Sequence, residues 1–197
     1  LHYILSTDSE GIIPFSTIKA KDLDEVQKIE GMDYSGLSIQ RATVSKSEDS
    51  NTLDITYLAT DHNEEEILNP NMEDTDLKIS DLKKNEVILD SSFKEDEGIQ
   101  VGDHVIDKTS KQKLKVVAFA KNAKYGYSEI GFISSDTYTG MRQKTDPSYQ
   151  WQAQTLVTKK NIPSNDLASN LMVADKKQVI DKIPGYKAQN LTLRMIT

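Results

Sequence analysis

Between Glu86 and Ile133 the chain makes one short apolar run after another and breaks each with glycine, aspartate or a charged turn. Runs of four to eight residues are too short for helices of ordinary length and suit short strands. Glu86-Val87-Ile88-Leu89-Asp90 reads as the first of them. Ser92 and Glu95 have the spacing to cap one or two turns of helix, which Gly98 ends. Val101 to Ile106 reads as a strand carrying a turn at Gly102-Asp103. Lys113 to Ala120 is a strand with apolar positions at Leu114, Val116 and Val117, and Ile130 to Ile133 is another. Ser134 or Ser135 then caps a short helix carrying Tyr138 and Met141.

The flanks are built differently. Residues 1–20 read as an entering strand or arm. Asp22 and Glu25 have capping-box spacing ahead of a helix that places Leu23, Val26 and Ile29 on one face, with Gly31 as its stop. Leu37, Ile39, Arg41, Thr43 and Ser45 share one face of an extended segment. Leu53, Ile55, Tyr57 and Ala59 alternate in the next, so an antiparallel pair with a long polar turn is predicted. Residues 61–80 are acidic and irregular and read as a connection between lobes. Beyond a polar stretch at 143–151, Gln154 to Thr158 predicts a strand. Leu167 and Leu171 predict a helix, and Asp175 and Gln178 cap a second one carrying Val179, Ile180 and Ile183. Leu191 to Ile196 reads as a closing strand or the start of a departing helix. The order predicts an α+β fold with two lobes, a β-α-β type lobe with a smaller β-rich lobe inserted in it at about 82–145.

Composition removes several functions. The net charge of −7 argues against nucleic-acid binding. With no cysteine there are no disulfides, zinc-thiolate sites or thiol nucleophiles. The three histidines, His2, His62 and His104, do not stand at metal-ligand spacing, and His62 falls in an acidic loop of the solvated kind. No Gly-x-Ser-x-Gly elbow, Walker loop or Gly-x-Gly-x-x-Gly turn is present, so neither a catalytic residue nor a phosphate, metal or cofactor site is read. No apolar run approaches the roughly 20 residues that span a bilayer. The chain begins at Leu1 rather than methionine and reads as a piece of a longer protein.

Two aromatic spots stand out. In Lys121-Asn122-Ala123-Lys124-Tyr125-Gly126-Tyr127-Ser128 two tyrosines flank a glycine, and tyrosine supplies contact area at low entropic cost. Tyr149 and Trp151 form the second spot. Tyr125, Gly126, Tyr127, Tyr149 and Trp151 are therefore the candidate partner contacts. For each spot the plainer reading is a hairpin tip or lobe-interface packing.

The block from Glu86 to Phe93, the turn Gly98-Ile99-Gln100-Val101-Gly102-Asp103, the strand Lys113 to Phe119 and the segment Ile130-Gly131-Phe132-Ile133-Ser134 together resemble the extracytoplasmic core domain of MacB/FtsX-type ABC transporter permeases. The helix at 22–31 and the segment Val179 to Tyr186 resemble the same family. Ala118 departs from its pattern, where glycine is common, and so does the acidic stretch 61–80. The resemblance implies a non-catalytic domain on the extracytoplasmic side of a bacterial cell membrane. It would transmit ATP-driven motion to a peptide, lipoprotein or antimicrobial substrate. It implies a discontinuous membrane-proximal lobe (1–81 and 146–197), an inserted lobe (82–145), and a structural role for Gly98, Val101, Gly102 and Asp103. The implied partners are transmembrane helices of the same permease, a cytoplasmic ATPase subunit, a second permease copy and a peptide or protein substrate. The parent is then expected to carry spans just before Leu1 and just after Thr197, both termini at one end of the fold, and flexible crossings near 76–85 and 143–151. The alternative is a secreted or lipid-anchored module that binds ligand through the loop 121–128.

Overall fold

A computed structural model describes residues 2–6, 18, 20–29, 33–62, 67–159 and 171–175. The alternation of apolar residues in the two long strands sets the frame. β2 (Tyr34–Ser45) and β3 (Leu53–Thr60) run antiparallel from Leu37 opposite Thr60 to Val44 opposite Leu53. The polar turn between them is held by Ser47 and Ser50, whose backbone and hydroxyl groups bond one another. Val44, Ile55, Tyr57 and Ala59 are buried on the shared inner face.

The short runs that follow close a ring on this pair. β5 (Glu86–Asp90), β6 (His104–Asp107), β7 (Lys113–Lys121) and β9 (Ser128–Ser134) are the strands involved. β3 pairs in parallel with β9, β9 pairs with β5, β5 pairs in parallel with β7, β7 pairs with β6, and β6 returns to β2 through Val44–Asp107 and Ser45–Ile106. Six strands therefore form a closed barrel. Side chains alternate in and out along each of them, and Val87, Leu89, Leu114, Val116 and Ile133 fill the interior. Between Val116 and Ala118 the pairing with β5 skips one residue, a bulge at Val117. A bulge bends a strand, so β7 turns beside Ala118, and inward packing resumes at Phe119.

One end of the interior is covered by Phe93 from α2 (Ser92–Glu97), Ile99, and Tyr138 and Met141 from α3 (Ser135–Gln143). Ser134 caps α3 by accepting from the Thr137 amide at 3.2 Å, as its position predicts. α2 ends at Gly98, which has φ +68°. Its amide and that of Ile99 return to the carbonyls of Lys94 and Phe93, a left-handed cap that suits glycine.

The acidic stretch has a clear place. Ile67 and Ile79 are buried and Leu68, Met72, Leu77 and Leu82 half-buried against the barrel's outer face, where Ile88, Ala118, Ile130 and Phe132 belong to a second apolar cluster. β4 (Asn71–Met72) pairs with β7 there, and a single 3-10 turn covers Ile79–Asp81. The stretch is amphipathic: its apolar residues cover the barrel while Asp74, Asp76 and Asp81 face water. Lys94 of α2 pairs with Glu73 and lies over the Phe119 ring at 5.6 Å, pinning this cover.

A smaller wing extends the sheet past β2. β10 (Thr155–Thr158) pairs with the start of β2, β1 (His2–Ser6) with β10, and β11 (Leu171–Asp175) with β1. α1 (Ala20–Gln27) packs here through Val26 and Leu23 on Leu156, Ala153 and Leu171. It begins at Ala20, so Asp22 lies in its first turn and is buried. The fold is α+β, as predicted.

One sequence expectation is corrected. Leu171 does not sit in a helix but opens β11, and Asp175, expected to cap a further helix, ends that strand. The open edge of β1 offers a full row of backbone partners, and pairing along it overrides the weak helical spacing of two leucines. Gly31, Leu167, Gln178, the segment 179–186 and the segment 191–196 lie outside the described residues.

The ring closes on a buried carboxylate. Asp107, 5% exposed, accepts from the Tyr57 hydroxyl at 2.9 Å, the Ser110 amide at 2.8 Å and the Ser110 hydroxyl at 2.7 Å. Replacing Asp107 with alanine leaves these donors unsatisfied, and we expect a loss of about 2–3 kcal/mol in urea unfolding. A loss under about 0.5 kcal/mol, the range of ordinary surface changes, would show that the carboxylate does not hold the seam. Burial first, then the Asp107 charge and hydrogen bond, push the Tyr57 phenol well above its ordinary value of 10.0. The folded state thus favours the neutral phenol. Its contribution is complete below the unfolded value and is lost as pH rises toward the folded one. Stability should fall above about pH 10, and Tyr57→Phe should flatten that fall; an unchanged alkaline slope in the variant would assign the loss to other groups.

Candidate functional site

The tyrosine loop folds as a two-residue hairpin. β8 (Lys124–Tyr125) pairs with the start of β9, Lys124 opposite Glu129 and Tyr125 opposite Ser128. Gly126 and Tyr127 make the turn, with Gly126 at φ +65°. Glycine at the first central position gives a turn whose twist matches the strands it joins. The hairpin is anchored from below by Asp90, 1% exposed. Its carboxylate accepts from the Ala123 amide at 2.7 Å and from the amide and hydroxyl of Ser92. One buried acid therefore fixes the end of β5, the start of α2 and the approach to the hairpin.

The two tyrosines have different surroundings. Tyr125 is half-buried against the outer apolar cluster, whereas Tyr127 is 57% exposed, one of two large hydrophobic side chains so exposed among the described residues. Between the hairpin and the β2–β3 pair lies an open cavity of about 410 Å³ lined by Arg41, Ala42, Asp54, Ile55 and residues 125–129. The Thr56 hydroxyl donates to that of Ser128 at 2.6 Å and ties its base. Arg41 and Asp54 are exposed, and neither makes an ion pair or side-chain hydrogen bond among the described residues. These two residues are absent from the candidates read in the sequence. The signal was there in Arg41, which breaks an apolar face begun by Leu37 and Ile39.

The second aromatic spot lies elsewhere. Tyr149 and Trp151 pack on the inner cluster, on the opposite face of β2 from Arg41. Their rings stand edge-on to Tyr138 at 5.8 Å each. Arg142 lies 5.0 Å from the Tyr149 ring centre and 6.0 Å from that of Tyr138. Burial raises the phenol pKa of both tyrosines, with Arg142 acting the other way. Trp151 also touches the wing's apolar cluster, and its indole N–H donates to Asp61 at 3.3 Å. Asp61 accepts in turn from the Gly36 amide at 3.0 Å and meets His62 Nδ1 at 2.8 Å. A side chain at Gly36 would bring its Cβ to 2.5 Å from the Asp61 carboxylate, so this close approach needs glycine. The structure thus separates the candidate contacts into an outer hairpin and an inner joint between barrel and wing.

The turn from Gly98 to Asp103 docks on β7. Gly102, at φ +96°, donates to the Val116 carbonyl, and the Val116 amide returns to the Asp103 carbonyl, both at 2.8 Å. The Asp103 carboxylate accepts from the Gln100 amide at 2.9 Å. Val101 is left at the tip, 62% exposed. His104 is exposed at the start of β6. Among the described residues no three acidic or histidine side chains converge on a metal position. No helix there is long and apolar enough to cross a membrane.

No family model matches the sequence, and no curated protein matches it. Solved structures do. The periplasmic region of MacB from Actinobacillus actinomycetemcomitans superposes with a TM-score of 0.60 at 11% identity, covering 98% of this chain and 92% of that one. The extracellular domain of the noncanonic ABC-type transporter YknZ from Gram-positive bacteria gives 0.56 at 10% identity, over 89% of this chain and all of that one, 100%. The fold expected from the Glu86 to Ser134 motifs is therefore the fold observed: this chain is built as the extracytoplasmic domains of MacB and YknZ are built.

Proposed function

We propose that this chain is the non-catalytic extracytoplasmic domain of an ABC transporter permease, and that it passes ATP-driven motion from the membrane to a substrate or partner outside. The observation that carries this reading is the likeness over 98% of the chain to the periplasmic region of MacB. A second observation supports it. His2 at the start of β1 is the cross-strand partner of Asp175 at the end of β11, so the start of the first described strand and the end of the last lie at the same end of the sheet. That suits a domain held at one base.

In this reading the inserted lobe, 82–145, meets the membrane-proximal lobe across three strand pairings, β3–β9 and β2–β6 within the ring and the two-residue β4–β7 outside it. β3 and β9 share five residue pairs, from Thr56–Ile130 to Thr60–Ser134, whereas β2 and β6 share two. The β2–β6 seam has fewer backbone bonds to break and is where the ring gives way first. Gly98, Val101, Gly102 and Asp103 serve structurally, fixing α2 to β7 within the inserted lobe. Partners are the permease's own transmembrane helices, a second copy and, through them, the cytoplasmic ATPase. The other reading, a secreted or lipid-anchored ligand-binding module, is favoured by the cavity under the Tyr125–Tyr127 hairpin.

These 197 residues hold no cysteine, so a thiol placed among them is a clean reporter of location once any cysteine elsewhere in the full-length protein has been replaced by serine. Ser47→Cys in the exposed turn of the full-length protein should react with a membrane-impermeant maleimide in intact cells, and the labelled protein should sediment with membranes. Labelling only after lysis would overturn an extracytoplasmic location, and labelled protein free in the medium would favour the secreted module. Hydrogen exchange gives a separate check on the lobes. Amides in the crossings at 76–85 and 143–151 should exchange faster than those in the β3–β9 seam; equal protection throughout would mean that the two lobes move as one block.

A further inference from the structure

We propose that the cavity beside the Tyr125–Tyr127 hairpin is a binding site for an extended peptide carrying an acidic and a basic side chain two residues apart. Its volume of about 410 Å³ lies within the range of small-ligand sites. The charged groups are placed in a specific way. Arg41 is the cross-strand partner of Thr56 and Asp54 that of Thr43, so Arg41 and Asp54 are diagonal neighbours on one face of the β2–β3 pair. Such diagonal positions are about 7–8 Å apart. Alternate side chains of an extended strand are about 6.6 Å apart and point the same way. A peptide laid along this face can therefore set a carboxylate on Arg41 and an ammonium on Asp54 at once.

The rest of the site fits the same ligand. Arg41 and Asp54 form no ion pair with one another and have no other partner among the described residues, so both charges are available. Tyr127 stands 57% exposed on a turn fixed by Gly126 and anchored by buried Asp90, a rigid aromatic wall for the peptide backbone or a side chain. Glu129, the other acidic residue of the lining, is offset by Lys124 at 4.0 Å, which leaves Arg41 and Asp54 as the lining's unpaired charges among the described residues. A ligand of one sign would meet repulsion from one half of this lining, whereas one with both signs is matched by each. The site stands whether the domain is membrane-held or secreted, so its test does not depend on the proposed function.

The test uses calorimetric titration of the 197-residue chain with two blocked peptides, acetyl-Ala-Glu-Phe-Lys-Ala-amide and its charge-reversed partner, acetyl-Ala-Lys-Phe-Glu-Ala-amide. The proposal expects one order to bind more tightly than the other. It expects Arg41→Gln and Asp54→Asn each to weaken that peptide roughly tenfold, as loss of a charge-assisted contact does. Tyr127→Ala should weaken both orders. All three residues are exposed, so thermal unfolding should be unchanged. The decisive variant is the exchange Arg41→Asp with Asp54→Arg, which should reverse the preferred order. Failure of both peptides to bind, equal binding of the two orders, or binding indifferent to these variants would overturn the site.

Discussion

Where six strands meet in a ring, the last pairing is the hardest to make, because it joins segments that are far apart in the chain and brings few backbone bonds of its own. Here that pairing is β2 with β6, and only two residue pairs carry it. What completes it is the carboxylate of Asp107. It reaches Tyr57 across the barrel end and gathers the turn at Ser110, so a buried acid takes the place of a longer ladder. Everything inside the barrel depends on that closure. Val44, Val105 and Leu114 are dry only because the ring is shut. α2, α3 and the amphipathic cover 67–82 then pack on a surface that closure has shaped.

Carboxylates recur as organisers, buried at Asp107 and Asp90 and exposed at Asp61. Asp90 holds three pieces of the barrel and Asp61 joins β2, β3 and Trp151. Each is satisfied mainly by backbone amides, hydroxyls or an indole. Hydrogen bonds to an ionised acceptor are stronger than neutral ones, and their geometry is directional. A barrel of short strands and tight turns has little apolar area to spend on fixing its loops, and these acids supply that definition locally.

Much of this is legible in the sequence because it is local. Glycine after a short helix, serine before one, and alternation in Leu53 to Ala59 specify the elements they sit in. The family resemblance of Glu86 to Ser134 follows from the same local marks. What is not legible is what depends on distant partners. Closure of the ring by Asp107 has no signature, since an aspartate ending a strand looks the same whether it faces water or Tyr57. The acidic stretch 61–80 reads as solvated because its charges outnumber Ile67 and Ile79, which only the barrel face makes meaningful. Leu171 reads as helical for the same reason: its neighbours permit a helix, and only the edge of β1 makes it a strand. The hairpin is visible in Tyr125-Gly126-Tyr127, but the residues facing it, Arg41 and Asp54, lie far earlier in the chain and become neighbours only through the β3–β9 pairing.

Ring closure has a further consequence for how this chain meets other polypeptides. An open sheet presents a row of unpaired amides and carbonyls on which another chain can template. In the barrel every strand has two neighbours, and the strand added outside β7, Asn71–Met72, is two residues long. That half of the molecule offers almost no template for strand exchange. It can be crowded against other surfaces without its backbone being captured.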